Sequence, residues 1–240
     1  MIHSYSSIYA LGHKALEDLL KTPVLVEEKL DGSQFSFGVY INQEGERLLK
    51  CRSKGADINM ISPEGLFKRA VEAIREIEPL LKPGYTYRSE YLAKPKHNTL
   101  CYDRIPKNYL MIFDIDAGLQ CYLPAQEKKE EAARLGLESI PVFFSGIIEN
   151  LEMFRELLNH ESCLGGQKIE GVVIKNYRLF APDKKVLMGK FVSEAFKESH
   201  SKEWKVSNPS QGDIVQLMID DYRTPARWAK AVQHLRDAGE

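Results

Sequence analysis

The period of the apolar positions changes several times along the chain, and each change predicts an element. Residues 10–20 space their apolar side chains three and four apart, as in a helix packed on one face. The short β-branched run at 24–26 reads as a strand, and residues 35–41 alternate as a second. A turn at 42–45 and a return at 47–52 make a hairpin. Ser62, Pro63 and Glu64 combine a hydroxyl cap, a proline at the first helical position and an acid. They predict a helix that runs to about Leu81 and stops at Lys82-Pro83-Gly84. Strands are expected at 85–92 and 109–115, a helix at 125–135 ending at Gly136, a strand from Pro141 and a helix at 149–158. The continuous β-branched run at 171–174 predicts a buried strand, and 186–192 one more. Two helices are expected at 212–222 and from Thr224 onward, the second with proline at its first position. The fold class is therefore α+β: mostly antiparallel sheets with interspersed helices, without repeats or a long linker.

Composition adds limits. The 240 residues are 43% hydrophobic and 28% charged, enough apolar material for one sizeable core. No apolar run approaches a membrane span, and the first residues lack a signal-peptide pattern. Four scattered cysteines without a C-x2-C pair read as reduced thiols in a cytoplasmic protein. Net charge is −1, so any affinity for a polyanion has to be local. Residues 82–107 hold Lys82, Arg88, Lys94, Lys96, Arg104 and Lys107 against Glu90 and Asp103. Lys50, Arg52 and Lys54 alternate, which on a strand places them on one face. Both clusters suit a basic groove, and both suit ordinary solvated charge.

Five strings carry candidate chemistry. In Glu27-Glu28-Lys29-Leu30-Asp31-Gly32-Ser33 a lysine leaves a buried strand beside a glycine turn. Desolvation there favours the neutral amine, which is the nucleophilic form. Gly32 is expected to let the backbone turn closely around a ligand. In Lys168-Ile169-Glu170-Gly171 through Lys175, an acid and a base bracket an apolar strand. Arg88-Ser89-Glu90 puts an acid inside a β pattern, Phe113-Asp114 follows an apolar run, and Lys190 sits in another. Each string alone is equally a turn, a core aromatic or a strand-end charge.

Their order and separations resemble the six-motif pattern of the covalent nucleotidyltransferases, the superfamily of polynucleotide ligases and RNA-capping enzymes. The resemblance spans roughly residues 24–192. Glu28-Lys29-x-Asp31-Gly32 looks like motif I, Arg52-Ser53 like motif Ia and Ser89-Glu90 like motif III. Phe113-Asp114 looks like motif IIIa, Glu170 to Lys175 like motif IV, and Lys190 like the last lysine of motif V.

The resemblance implies an ATP-grasp-like adenylation domain over residues 1–208 and a short helical extension over 209–240. It implies that Lys29 attacks the α-phosphate of ATP and retains AMP, which passes to a 5′-phosphate end that a 3′-hydroxyl then seals. Lys190, and Lys175 beside it, would contact the α-phosphate, and Glu170 would hold Mg2+ or Mn2+. Glu90 would accept from the ribose, Phe113 would stack on adenine, Glu28 would meet the adenine amino group, and Arg52 would contact a phosphate. Two positions depart from the pattern. Gln34 stands where many DNA ligases carry arginine, and Met188 takes the first lysine place of motif V, leaving Lys184 or Lys185 to compensate. Only 50 residues follow Lys190, and they read as helices instead of the OB-fold of DNA ligases and capping enzymes. The resemblance is thus to the RNA ligase 2 family, with RNA or RNA-containing duplex ends as partner. Residues 191–204, with Lys197, Lys202 and Lys205 nearby, are expected to touch the duplex. A minimal ATP-dependent DNA ligase, a GTP-using guanylyltransferase and a non-catalytic binding module are the competing readings.

Overall fold

The computed structural model describes residues 2–193 except Glu64, Glu149, Leu151 and Pro182. The helices expected beyond 209, and the lysines at 197, 202 and 205, lie outside the described residues. The strands are β1 (Tyr9–Ala10), β2 (Val24–Lys29), β3 (Ser33–Ile41), β4 (Arg47–Ser53), β5 (Thr86–Tyr91), β6 (Leu110–Asp116), β7 (Glu138–Ser139), β8 (Val142–Gly146), β9 (Gly171–Phe180) and β10 (Val186–Val192). The helices are α1 (Lys68–Ile77), α2 (Ala125–Arg134) and α3 (Glu152–Leu157).

The strands form two five-stranded sheets, in the orders β1-β10-β9-β2-β8 and β4-β3-β5-β6-β7. Pairing is antiparallel except for β1 with β10 and β6 with β7. The chain crosses from the first sheet to the second at residues 30–32, between β2 and β3. One core lies where α1 and α2 cover the second sheet, built on Phe35, Phe37, Tyr87, Ile112 and Ile115. On α1, Ala70, Val71, Ala73 and Ile74 are buried, a helical stripe facing that core. The other main core joins Val24, Val26, Val172, Ile174 and Leu187 of the first sheet to Phe154 of α3.

Most predicted strands are found within a few residues of their expected ends. Three departures have physical reasons. Residues 10–20 form a strand end and a 3-10 turn at Lys14–Leu16 in place of a helix. Gly12 takes a positive φ of 97°, and the His13 ring accepts from the Ala15 amide, so the chain is capped into a tight turn that still buries Leu16 and Leu19. The helix signalled at Ser62 begins only at Lys68, after a 3-10 turn at Gly65–Phe67, because Gly65 sits at φ 69°, outside the helical region. The two-residue strands β1 and β7 are too short to leave a periodic trace in sequence.

Candidate active site

Strand alternation builds one wall. Glu27 and Lys29 point to the same face of β2. The register sets Glu27 opposite Val173 and Lys29 opposite Gly171 on β9, and Met188 and Lys190 of β10 opposite Lys175 and Val173. Glu27, Lys29, Val173, Lys175 and Lys190 accordingly line one cavity of about 560 Å³. Glu90 of β5, Gln34 of β3 and Phe113 of β6 line it from the second sheet, and residues 4–9 from the N-terminal segment.

Phe113 arrives there through a β-bulge. Arg88 pairs with Asp114 and Ser89 with Ile112, so Phe113 is the extra residue of the ladder. Ile112 and Ile115 pack in the core while, of the two residues between them, Phe113 lines the cavity and Asp114 meets the buried Lys175. The bulge breaks the alternation of Leu110–Asp116 and leaves the Phe113 carbonyl outside the ladder.

Lys29 is 25% exposed at its side chain and donates to Glu170 Oε2 at 2.7 Å, with Oε1 at 2.6 Å. Its charge state corrects the expectation of a neutral amine. Burial is the largest single influence and lowers its pKa, but Glu170, Glu90 and Asp31 together outweigh it, so the net shift is upward. In the ligand-free protein Lys29 is an ammonium. The carboxylates shift upward as well: burial pushes Glu90 to about 8 and Glu170 to about 7, with Lys29 acting in the opposite direction on each. Lys190 is pushed below its ordinary value, first by burial and then by the charge of Lys29. Lys190 faces the cavity, and among the described residues no salt bridge claims it, which suits it to receive a phosphate.

Other predicted residues are placed differently. Lys175 is 2% exposed and fully engaged inside the protein: its ammonium donates to Glu27 at 2.6 Å, to the Phe113 carbonyl at 2.7 Å and to Asp114 at 3.1 Å. Those three acceptors saturate its three donors. Glu28 borders the cavity, yet its carboxylate accepts from the Ser162 hydroxyl and from the Cys163 amide at 3.0 Å. Arg52 is not brought to the cavity; its guanidinium turns back on its own hairpin, to Asp57 at 2.8 Å and the Gly55 carbonyl. Lys54, just past β4, does line the cavity, as does Lys185, while Met188 is buried against the Tyr5 hydroxyl. Gly32 also lines the cavity, and on its other side the backbone packs closely: an added Cβ would lie 2.7 Å from the Tyr91 carbonyl oxygen and from Glu90 Cγ.

The basic cluster of 82–107 is partly neutralised, since Lys82 pairs with Glu131, Arg88 with Asp116 and Arg104 with Glu138. Tyr5 and Lys128 belong to the site's surroundings and were not singled out from sequence. Tyr5 packs edge-on against Phe113 and donates to Asp114. Lys128 is buried among acidic and basic neighbours on α2, a position that only helix phase relative to the core reveals.

The geometry thus joins a buried lysine–carboxylate pair, an aromatic face and the cations Lys54, Lys185 and Lys190 around one cavity. A family model for RNA ligase matches residues 22–192. A comparison with curated proteins gave no match. Among solved structures the chain is similar to Naegleria gruberi RNA ligase with PPi, at 17% identity and a TM-score of 0.58 over 83% of this chain and 58% of that one. It is also similar to a mutant of that ligase with AMP and Mn, at 16% identity and a TM-score of 0.58 over 82% and 58% of the two chains. A mutant with ATP and Mn gives 17% and 0.58, over 83% and 58%. The chain therefore spans a little over half the length of these structures, and the likeness speaks to fold. The family match runs from just before β2 to the last residue of β10, and on that extent the chain belongs to the RNA ligase family.

Proposed function

We propose that the chain is an ATP-dependent RNA ligase working through a covalent lysyl-AMP intermediate on Lys29. The observation that carries this reading is Lys29 itself. It ends β2 at the crossover between the sheets, lines the cavity, and is held by Glu170 in line with the motif order that the resemblance assigns. Lys29 first gives up its ammonium proton to become the nucleophilic amine; Nζ then bonds to the α-phosphorus and releases a second proton to solvent, the bond to pyrophosphate breaks, and AMP stays as a phosphoramidate. AMP then passes to a 5′-phosphate end, and a 3′-hydroxyl displaces it to seal the strand.

The chain's own residues divide the work of positioning. Phe113 offers its ring to adenine from the bulge, Glu90 accepts from the ribose, and Lys190 meets the α-phosphate. Lys54 and Lys185, on the same cavity, supply further positive charge toward a polyphosphate, with Lys185 in place of the cation that Met188 lacks. Glu170 is a buried hard carboxylate with Glu90 in electrostatic reach, a donor set that fits Mg2+ or Mn2+. Among the described residues no cluster of three or more ligating side chains forms, so such an ion would share Glu170 with nucleotide phosphates and water. When bound, it supplies neutralisation of the charge on the phosphates. Gln34 lines the cavity where many DNA ligases carry arginine, which weighs against a DNA ligase. Among the described residues no helix is long and apolar enough to cross a membrane.

Intact mass after incubation with ATP and Mg2+ tests the first step. The wild type should gain the mass of one AMP and Lys29→Ala should not; an unlabelled wild type, or a labelled variant, ends the reading. Offering GTP in place of ATP exposes a guanylyltransferase, and sealing of all-DNA nicks as fast as RNA-containing ones exposes a DNA ligase.

A further inference from the structure

The bulge at Phe113 leaves a buried carbonyl without a ladder partner, and two ammonium groups take it up. Lys175 donates to it at 2.7 Å and Lys128 at 3.0 Å. The same two lysines divide the carboxylate of Glu27, Lys175 on one oxygen at 2.6 Å and Lys128 on the other. Asp114 completes the group, accepting from Lys175 and from the hydroxyls of Tyr5 and Tyr177. Glu27, Asp114, Lys128 and Lys175 are each 2% exposed or less, two acids against two bases.

Lys128 stands apart in this set. It lies in the Glu127-Lys128-Lys129-Glu130 stretch of α2, outside every motif, where composition alone describes a solvent-facing helix. An ammonium taken out of water is costly unless its partners are well placed. Here both partners are groups of the nucleotide cavity: Glu27, two residues before Lys29 on β2, and the backbone of Phe113 on β6. Those strands belong to different sheets.

We propose that Lys128 is a positioning residue for the nucleotide site, holding the Phe113 backbone against Glu27 and so fixing the aromatic face on one sheet relative to the reactive amine on the other. This rests on the reading of Phe113 as the adenine platform and Lys29 as the nucleophile. Lys128 acts through these groups and touches no reacting atom. Its loss therefore weakens nucleotide capture more than it slows bond formation.

The test compares Lys128→Met with the double variant Glu27→Gln/Lys128→Met in the full chain. The single variant leaves one uncompensated buried carboxylate. The double variant restores charge balance, Asp114 against Lys175, but not the bond to Phe113. Single-turnover adduct formation, followed by intact mass over a range of ATP, separates the half-saturating concentration from the limiting rate. Both variants should need about tenfold more ATP, with the limiting rate within about threefold of wild type. The thermal midpoint should fall in the single variant and recover in the double. Recovery of normal ATP dependence together with the midpoint would reduce Lys128 to charge balance and overturn the assignment. So would normal ATP dependence in Lys128→Met, or failure of both variants to fold. A wild type that forms no adduct instead sinks the ligase reading, and this inference with it.

Discussion

Lys29 Nζ lies 2.6 and 2.7 Å from the two carboxylate oxygens of Glu170, at the point where Lys29 faces Gly171 in the β2–β9 register. The pair keeps the lysine protonated in the ligand-free state against the pull of burial. Glu170→Gln removes the largest of the influences that raise the Lys29 pKa, so the apparent pKa of that amine should fall. The pH dependence of acylation at Lys29, read by peptide mass mapping on the free protein, measures it. A value that stays put or climbs would contradict the charge assignment.

Glu90 and Glu170 make the free protein sensitive to pH in an unusual direction. Burial raises them to about 8 and about 7, from an ordinary 4.5. Between those limits the folded state binds more protons than the unfolded state, so their contribution is complete below about 4.5 and is lost as pH rises through the folded values. Denaturation midpoints of the ligand-free protein should therefore decline from pH 6 toward pH 8.5 (a range set by these folded values, roughly). Glu90→Gln should flatten that decline; an unchanged slope would show that Glu90 does not titrate there.

Gly32 is required by sterics. An added Cβ meets a carbonyl oxygen and a side-chain carbon at 2.7 Å, and the carbonyl belongs to β5 backbone that cannot swing aside. Gly32→Ala should cost about 1–3 kcal/mol by overpacking, measured by urea unfolding. Wild-type stability would mean that the crossover has room the structure does not show.

Lys175 distinguishes a scaffold role from a phosphate contact. With every donor engaged inside the protein, Lys175→Met strips Asp114 of its cation and Glu27 of one of its two, and should destabilise the fold by about 3–5 kcal/mol even without nucleotide. A variant as stable as wild type but deficient in adduct formation would return Lys175 to the phosphate.

Much of the site was legible in the residues. Lys29, Glu90, Phe113 and Lys190 were all expected at strand ends or within strands; strand alternation brings Lys29 and Lys190 to the cavity, Glu90 lines it from β5, and Phe113 joins them through its bulge. Glu170 stands immediately before β9, as its string suggested, and there it pairs with Lys29, a partner that the sequence did not indicate. Arg52 was expected there too, but a partner five residues away in its own hairpin claims it.

What the linear chain determines here is period and punctuation: where strands and helices fall, and which acids, bases and aromatics occur at their ends. These are local properties, set by backbone geometry and side-chain spacing over a few residues. The fold alone decides the bulge that turns Phe113 to the cavity and Asp114 to Lys175, the inward phase of Lys128 on α2, and the charge on Lys29. Each depends on groups far away in sequence, 141 residues apart for Lys29 and Glu170 and 101 for Lys128 and Glu27. Burial and Coulomb attraction act in opposite directions on a lysine, and only the three-dimensional placement of those distant carboxylates decides which prevails.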